Sequence, residues 1–542
     1  MISTTLSWVN DFCSIPILFS NCFSEHVILV GSGSAGSVIA SGLKGKILVL
    51  EAGSKGESFL LNIPIIQPLL QKSPFDWGFQ TEPEENACKA LTDNKCHWPF
   101  GKILGGSHRL NNLIYHRGHH SDYDSFMTAN EAEELFKINE ENVPISSGCF
   151  RSVVGKAFVE AGNYLGFDSF HFTNVTSRKG SRYTQIDHWR TLTNSPEVCV
   201  LATVSKILFD AKNSKKAIGV EYHKNEEFHK VYGKNIILSA GVIGSPKILL
   251  LSGIGPKDHL DKIGIDVKEN LSGVGENLQD HVTTGLDLII LNQTVGLSVE
   301  NLISPLKIFD YFWRDGIEAP LSFGGADAMG FVSLNISSEM PDLSFILLPV
   351  GLVADQGIHL RKILNLRDDI WDRQFKPLIG QTTISILPIL LHPKSKGRVQ
   401  LKSKNFNDLP IITTNYLTHD DDIKKLISAI RIIEKLVESP SMQKLGAEIN
   451  PKPFPGCEIF FFNSDDYWEC YVRAITLTMF HPIGTCKVGD IKDDSTVVLR
   501  NFQVKNLENL FVVDGSVLEK ATTSNPHGII AMLAQKFVKN MS

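Results

Sequence analysis

Apolar positions along this chain switch between a period of two and a period near 3.6, and the first switch is the sharpest. A short buried run from His26 to Val30 ends in Gly31-Ser32-Gly33-Ser34-Ala35-Gly36. A helical pattern follows from Ser34 to Leu43, and a second apolar run, Lys46 to Leu50, stops at Glu51. Strand, glycine turn, helix and strand in that order predict the start of a parallel sheet. Two later runs are equally apolar, Asn235 to Ser239 and Leu510 to Val513. Each passes through a glycine-containing turn into a helical pattern, Ser245 to Leu251 and Gly528 to Val538. From Asp421 to Ser439, Ile423, Leu426, Ile427, Ile430, Ile433 and Leu436 share one helical face. Thr418 and Asp421 predict a capping box ahead of that helix. Between about 300 and 475, prolines, aromatic residues and alternating apolar positions predict a second sheet, whose strand order the pattern does not give.

The glycines of the first turn have separate physical tasks. Gly31 permits the tight turn, Gly33 lets backbone approach a pyrophosphate, and Gly36 lets helix pack on strand. Ser34 opens the helix, whose unpaired N–H groups and positive dipole end favour a phosphate. Glu51, at the end of the next strand, is placed to accept from ribose hydroxyls. The plainer alternative is a glycine-rich turn that binds nothing. This fingerprint does not choose between FAD and NAD. Trp98-Pro99-Phe100-Gly101-Lys102-Ile103-Leu104-Gly105-Gly106-Ser107 does, because closely spaced glycines let backbone run against a flat ring far from the pyrophosphate. A plain surface loop is the alternative, and the apolar residues among the glycines speak against it.

Composition narrows the partners. The 542 residues exceed one small domain, so two or three units are expected. With 43% hydrophobic and 21% charged residues, the chain reads as an ordinary globular protein. A net charge of −6 without a long basic run gives no electrostatic support for nucleic acid or an anionic membrane. No apolar stretch reaches the ~20 residues of a membrane span. The apolar N-terminus through Cys13, Ile15, Pro16, Ile17, Leu18 and Phe19 lacks a basic start and makes a poor secretory signal. Nine cysteines do not make a disulfide scaffold, although Cys88 and Cys96 flank a polar loop that a bridge could clip. Sequons at Asn174, Asn270, Asn292, Asn335 and Asn540 lean toward an extracellular, secreted protein, with a cytoplasmic one as the alternative.

Several of these segments, in order, resemble the glucose–methanol–choline (GMC) oxidoreductases over about residues 26 to 538. The opening turn with Leu48-Val49-Leu50-Glu51-Ala52-Gly53 is similar to the family's start. Trp98 to Asn111 resembles its flavin loop, continued by Tyr115-x-Arg117-Gly118 and Asp122-Tyr123-Asp124. Ser239 to Pro246, Leu251 to Pro256 and Val274-Gly275-x-Asn277-Leu278-Gln279-Asp280-His281 follow. His481-Pro482-Ile483-Gly484-Thr485 and Val512-Val513-Asp514-Gly515-Ser516 complete the set. The resemblance implies an α/β fold: a Rossmann-like FAD-binding domain with a parallel sheet, and a second α+β substrate domain with an antiparallel sheet. It implies boundaries at 24–300 for the FAD domain, 301–475 for the substrate domain and 476–542 for a returning C-terminal segment. Gly31, Gly33, Gly36 and Glu51 would hold the ADP half, with Val204 against adenine through its backbone. Gly106, Ser107 and Asn111 would line the flavin, and Asp514 and Gly515 its phosphate and ribityl portion. His108 and Arg109 stand where the family has small residues, a departure that bears on the flavin contacts and on any covalent attachment. The connection from Leu43 to Lys46 is also shorter than the family's.

Oxidising an alcohol requires a base for the hydroxyl proton, and neutral imidazole suits that task. His481 in Phe480-His481-Pro482-Ile483-Gly484-Thr485 would be projected by a tight turn, and by position the resemblance names it as the base. Alone, a histidine in a turn is more often structural. Asn525 in Ser524-Asn525-Pro526-His527-Gly528 would donate to the substrate oxygen, or serve as a simple N-cap, or both. His527 is not expected to be the partner. The group His116, His119 and His120 lacks accompanying ligands with metal spacing and reads as a loop near the flavin. Asp280-His281 reads as a structural pair. The expectation is an FAD enzyme oxidising a small-molecule alcohol, with oxygen or another acceptor taking the electrons. A lyase similar to the hydroxynitrile lyases, retaining FAD without net redox, is the alternative, and a flavin-binding protein without catalysis the third.

Overall fold

The computed structural model describes residues 26–142, 145–147, 152–167, 172–174, 176–178, 196–294 and 324–541, with 305, 306 and 309 besides and without 336 and 339. The apolar N-terminal segment through Phe19 lies outside the described residues. The predicted runs assemble into one parallel sheet in the order Leu510–Val512, Asn235–Leu238, Val27–Val30, Ile47–Leu50, Glu197–Cys199. Ile28, Leu29, Val49, Ile236, Ile237 and Leu238 are fully buried, as a parallel sheet covered on both faces requires. The last strand, Glu197–Cys199, is too short and too polar to register as an apolar run.

Helix Ser34–Gly42 packs against the C-terminal helix His527–Met541. Their approach is so close that a Cβ at Gly42 would lie 2.8 Å from Val538. The helix after Asn235–Leu238 runs from Gly241 to Leu251, starting before the predicted Ser245 and carrying Pro246 inside it. Proline has no N–H to give the carbonyl of Val242. Thr485 supplies the missing donor, its Oγ1 bonding the Val242 carbonyl at 2.6 Å. Asp514 braces the same first turn, accepting from Gly241 N at 2.9 Å and from Ser245 Oγ at 2.6 Å. Two late segments of the chain thus complete an early helix.

The second sheet is antiparallel, in the order Ala447–Ile449, Ile289–Leu291, Thr382–Leu390, Leu343–Leu348, Ala328–Val332, Phe172–Asn174. Strand Val282–Thr283 pairs at one end with both Thr382–Leu390 and Leu477–Thr478. That junction draws residues 280–281 and 478–481 together. Helix Asp420–Val437 covers the sheet with Ile423, Leu426, Ile430, Ile433 and Leu436, as its pattern demanded. The predicted capping box does not form. Thr418 stands one position too early and donates to Asn415 O at 3.0 Å, while His419 is the N-cap and its Nδ1 accepts from Asp421 N at 3.2 Å. Cys88 and Cys96 bring their sulfurs to 2.7 Å, and Cys457 and Cys470, which no spacing argument singled out, are bridged. Among the described residues no helix is long and apolar enough to cross a membrane.

Candidate active site

Gly31 takes φ +93°, and a Cβ there would lie 2.4 Å from the Ser239 carbonyl oxygen. A Cβ on Gly36 would lie 2.2 Å from the Gly31 carbonyl oxygen, so helix and turn can meet only without side chains. At Gly33 a Cβ would find open space, and one at Gly106 would come within 2.8 Å of Gly33 Cα. The glycine turn and the flavin loop therefore meet backbone to backbone and leave a slot between them. The helix beginning at Ser34 has Gly33 as its N-cap, with no side-chain bond to its first N–H groups. Uncapped helix donors beside a side-chain-free slot suit a pyrophosphate.

Ser32, which sequence reading passed over, joins three parts of this region. Glu51 accepts from Ser32 N at 3.1 Å, from Ser32 Oγ at 2.6 Å and from Gly53 N at 2.8 Å, while Ser32 Oγ accepts from Gly105 N at 3.0 Å. Burial pushes the Glu51 carboxyl above the usual range, against the pull of these bonds. A polar residue between two turn glycines was the available signal. Ser34 Oγ lies 2.8 Å from His527 Nδ1, and His527 stacks on His108 at 5.1 Å between ring centres. Both departures from small residues are buried, His108 and Arg109 alike. Ser107 Oγ accepts from Gly101 N at 3.1 Å and Asn111 Oδ1 from Leu113 N at 3.1 Å, each bracing the loop from within.

One cavity of about 520 Å³ is lined by Gly31, Gly33, Ser34, Glu51, Gly106, Ser107, Asn111, Val204, Asp514, Gly515, His481 and Asn525. Of the residues expected at the site, Gly36 alone does not line it, because its task is packing. Asp514 has little carboxylate left for a ligand: beyond its bonds to Gly241 and Ser245 it accepts from Ser516 N at 2.8 Å.

His481 is held from behind. Its N–H donates to Asp280 Oδ1 at 2.9 Å, and Asp280 Oδ2 accepts from Tyr416 OH at 2.5 Å and Thr478 Oγ1 at 2.6 Å. Thr478 Oγ1 also accepts from Phe480 N at 2.9 Å, shaping a turn in which Phe480 takes φ +61°. A bulky residue in the left-handed region is strained and persists only where surrounding bonds enforce it. His481 Nδ1 lies 3.0 Å from His281 Nδ1, the rings crossing at 88°. Burial pushes the His481 imidazole well below its ordinary value, and the neighbouring His281 adds to this. Burial lowers His281 to about 3, so both rings are neutral near pH 7. Asp280 is raised to about 6 by burial despite its four bonds. The pair Asp280-His281, read from sequence as structural, thus stands directly against the candidate base. Among the described residues the Asn525 side-chain amide bonds no protein group, and the residue borders the cavity. His116 instead accepts from Gly118 N at 2.9 Å through Nδ1 and packs against Phe331.

The wall supplied by the antiparallel sheet is apolar: Leu286, Ala326, Ile346, Leu348 and Leu477. Thr283, Ser385 and Thr478 interrupt it, but their hydroxyls already donate to Thr284 O, Asp287 and Asp280. No sequence motif marked this wall.

A backbone slot on a parallel sheet, roofed by an antiparallel sheet, defines a two-domain α/β protein that holds a dinucleotide cofactor beneath a substrate domain. The GMC oxidoreductase family models match residues 26–283 and 393–534. The chain is 31% identical to a glucose dehydrogenase (FAD, quinone) of Drosophila melanogaster, over 95% of this chain and 86% of that protein. It is 32% identical to an alcohol dehydrogenase (acceptor) of Pseudomonas putida, over 94% of each. In fold it is similar to a crystal structure of pyridoxine 4-oxidase, with a TM-score of 0.77, 23% identity and coverage of 95% of this chain and 99% of that one. A formate oxidase structure from Aspergillus oryzae gives a TM-score of 0.79 at 19% identity, covering 96% and 98%. The chain belongs to the GMC oxidoreductases: it is an FAD-dependent enzyme acting on CH–OH donors.

Proposed function

We propose that the substrate is a small alcohol with a largely apolar body, that His481 takes its hydroxyl proton and that Asn525 holds its oxygen. The observation that supports this most is the convergence of a neutral, backed imidazole and an unbonded amide on the cavity that the glycine turn also lines. Two neutral imidazoles 3.0 Å apart through their Nδ1 atoms share one hydrogen. With that hydrogen on His481, its Nε2 carries a bare lone pair and can accept a proton, while His281 Nδ1 accepts from behind. This tautomer is assigned from the network. As His481 becomes cationic, its Nδ1–H bond to His281 becomes charge-assisted and strengthens. Asn525 Nδ2 donates to the substrate oxygen as negative charge gathers there. Bound FAD would supply the acceptor for the hydride, with oxygen or another acceptor as the final electron sink.

The apolar roof supports an apolar substrate body. A sugar would bury several hydroxyl groups against a wall whose own hydroxyls are already engaged, at a cost per unpaired group of about 1–3 kcal/mol. Anaerobic titration of the holoenzyme with aliphatic, aromatic and polyol alcohols tests the reading. Bleaching of the flavin by apolar alcohols, at concentrations where polyols leave it yellow, is expected, and admission of air then reports whether oxygen restores the colour. Bleaching by polyols alone would overturn the apolar preference. Cyanohydrin cleavage with a flavin that stays oxidised would replace oxidation by the lyase reading.

A further inference from the structure

The arm between strands Phe79–Gln80 and His97–Trp98 reaches from the cofactor side onto the substrate domain. Its Glu82 N donates to Ile412 O at 2.8 Å, and its Glu84 carboxylate accepts from Tyr416 N at 3.1 Å and from Thr414 Oγ1. At the tip, Ala90 N donates to Ala474 O at 2.8 Å, Thr92 N to Asn365 O at 2.8 Å, and Arg367 N to Ala90 O at 3.0 Å. The arm therefore grips Tyr416, whose hydroxyl holds Asp280, which in turn holds the His481 backbone.

The arm is itself strained, with Cys88, Asp93 and Asn94 at φ +56°, +56° and +53°. Across its base Thr81 N donates to Cys96 O at 3.0 Å and Cys96 N to Thr81 Oγ1 at 3.1 Å. Cys88 and Cys96, 0% and 1% exposed, bring their sulfurs to 2.7 Å, about 0.7 Å beyond the ~2.0 Å of a disulfide. Nothing fits between them.

We propose that Cys88 and Cys96 form a disulfide that locks this arm into a strap, and that the strap fixes Tyr416, Asp280 and so His481. The two thiols lose two protons and two electrons as one S–S bond forms. The electrons reduce the disulfide of an exchange donor to a dithiol while the arm is still open during folding. The cross-link rests on the sulfur geometry alone, and its effect on His481 rests on the base assignment above.

Trypsin cuts after Lys89 and Lys95, both between the two cysteines. Digestion of acid-quenched, alkylated and unreduced holoenzyme is expected to yield the peptide ending at Lys89 joined to the one beginning at Cys96, separating on reduction. Recovery of both cysteines alkylated from unreduced protein overturns the cross-link, whether or not any alcohol bleaches the flavin. The C88A/C96A double variant is expected to keep its flavin and to melt at least about 3 °C lower. Its limiting rate of anaerobic bleaching should fall about twofold or more, with the half-saturating alcohol concentration unchanged. Should the double variant not fold, wild-type holoenzyme treated with a phosphine, its cleavage verified by the same peptide map, is expected to show the same slowing. A limiting rate equal to that of the bridged enzyme, in either protein, overturns the strap.

Discussion

The glycine turn at residues 31–36 and the histidine corner at residues 280–281 and 481 line one cavity and are built by opposite means. In the turn, side chains are absent: Gly31 and Gly36 would each drive a Cβ to within 2.4 Å of a carbonyl oxygen. In the corner, side chains do the work: Tyr416 holds Asp280, Asp280 holds the His481 backbone, and His281 stands behind the His481 ring. The first region provides shape and free N–H groups, the second a tuned proton acceptor. Shape is lost all at once by any side chain, whereas a tuned group degrades by degrees.

Substitution in the two regions should separate accordingly. Gly31→Ala places a Cβ at 2.4 Å from Ser239 O in a residue at φ +93°, so the protein is expected to emerge colourless or unfolded, read by flavin absorbance and circular dichroism. A yellow, stable G31A protein would break the contrast. His481→Ala should retain flavin and lose about 10²–10⁴ in the anaerobic reduction rate. Asn525→Ala should retain flavin and lose about 10²–10³, the range for removing one donor at a developing oxyanion. If His481→Ala expelled the flavin while leaving the fold intact, the corner would be a cofactor site as well.

Acid should sharpen the comparison. The folded pKa of His281, about 3, lies below its unfolded value near 6.5, so the folded protein binds fewer protons between those values. The stabilising contribution is present above pH 6.5 and falls away as pH drops toward 3, by ~3 kcal/mol at pH 4. His281→Gln should flatten that acid slope in thermal melts, and an unchanged slope would place the loss elsewhere. Glu51 and Asp514, raised by burial in the cofactor half, pull the other way, their contribution declining as pH rises through their folded values. Because His481 is lowered, the acid limb of the reduction rate should lie below pH 6.5. The smallest effect concerns Phe480: Asn tolerates its φ of +61° better, and Phe480→Asn should raise stability by ~0.5–1 kcal/mol, visible as a small rise in Tm.

Much of the cofactor half was legible because its determinants are neighbours in the chain. Gly31, Gly33, Gly36 and Glu51 lie within one strand–helix–strand unit, and the turn's backbone conformation is a local property. The helix starts at Gly241, four residues before the pattern at Ser245 shows it, and Pro246 is accommodated inside it because Thr485 satisfies the Val242 carbonyl. The cap that the pattern puts at Thr418 is made by His419, a shift of one residue that only φ and ψ resolve. At the site, the resemblance drew attention to His481 and Asn525, and the sheet junction at Val282–Thr283 accounts for His281 arriving at His481 from 200 positions away.

Read alone, the order of residues determined the parallel sheet, the glycine turn and the identity of the polar groups available for chemistry, because periodicity and the lack of a Cβ act over a few residues. Tertiary structure decided which of those groups are neutral, which are engaged and which remain free. Desolvation of His481, the depletion of Asp514's lone pairs and the engaged hydroxyls of the apolar roof all depend on atoms brought together by folding. Burial and hydrogen bonding are sums over spatial neighbours, and a linear chain does not specify who those neighbours are until the sheets close.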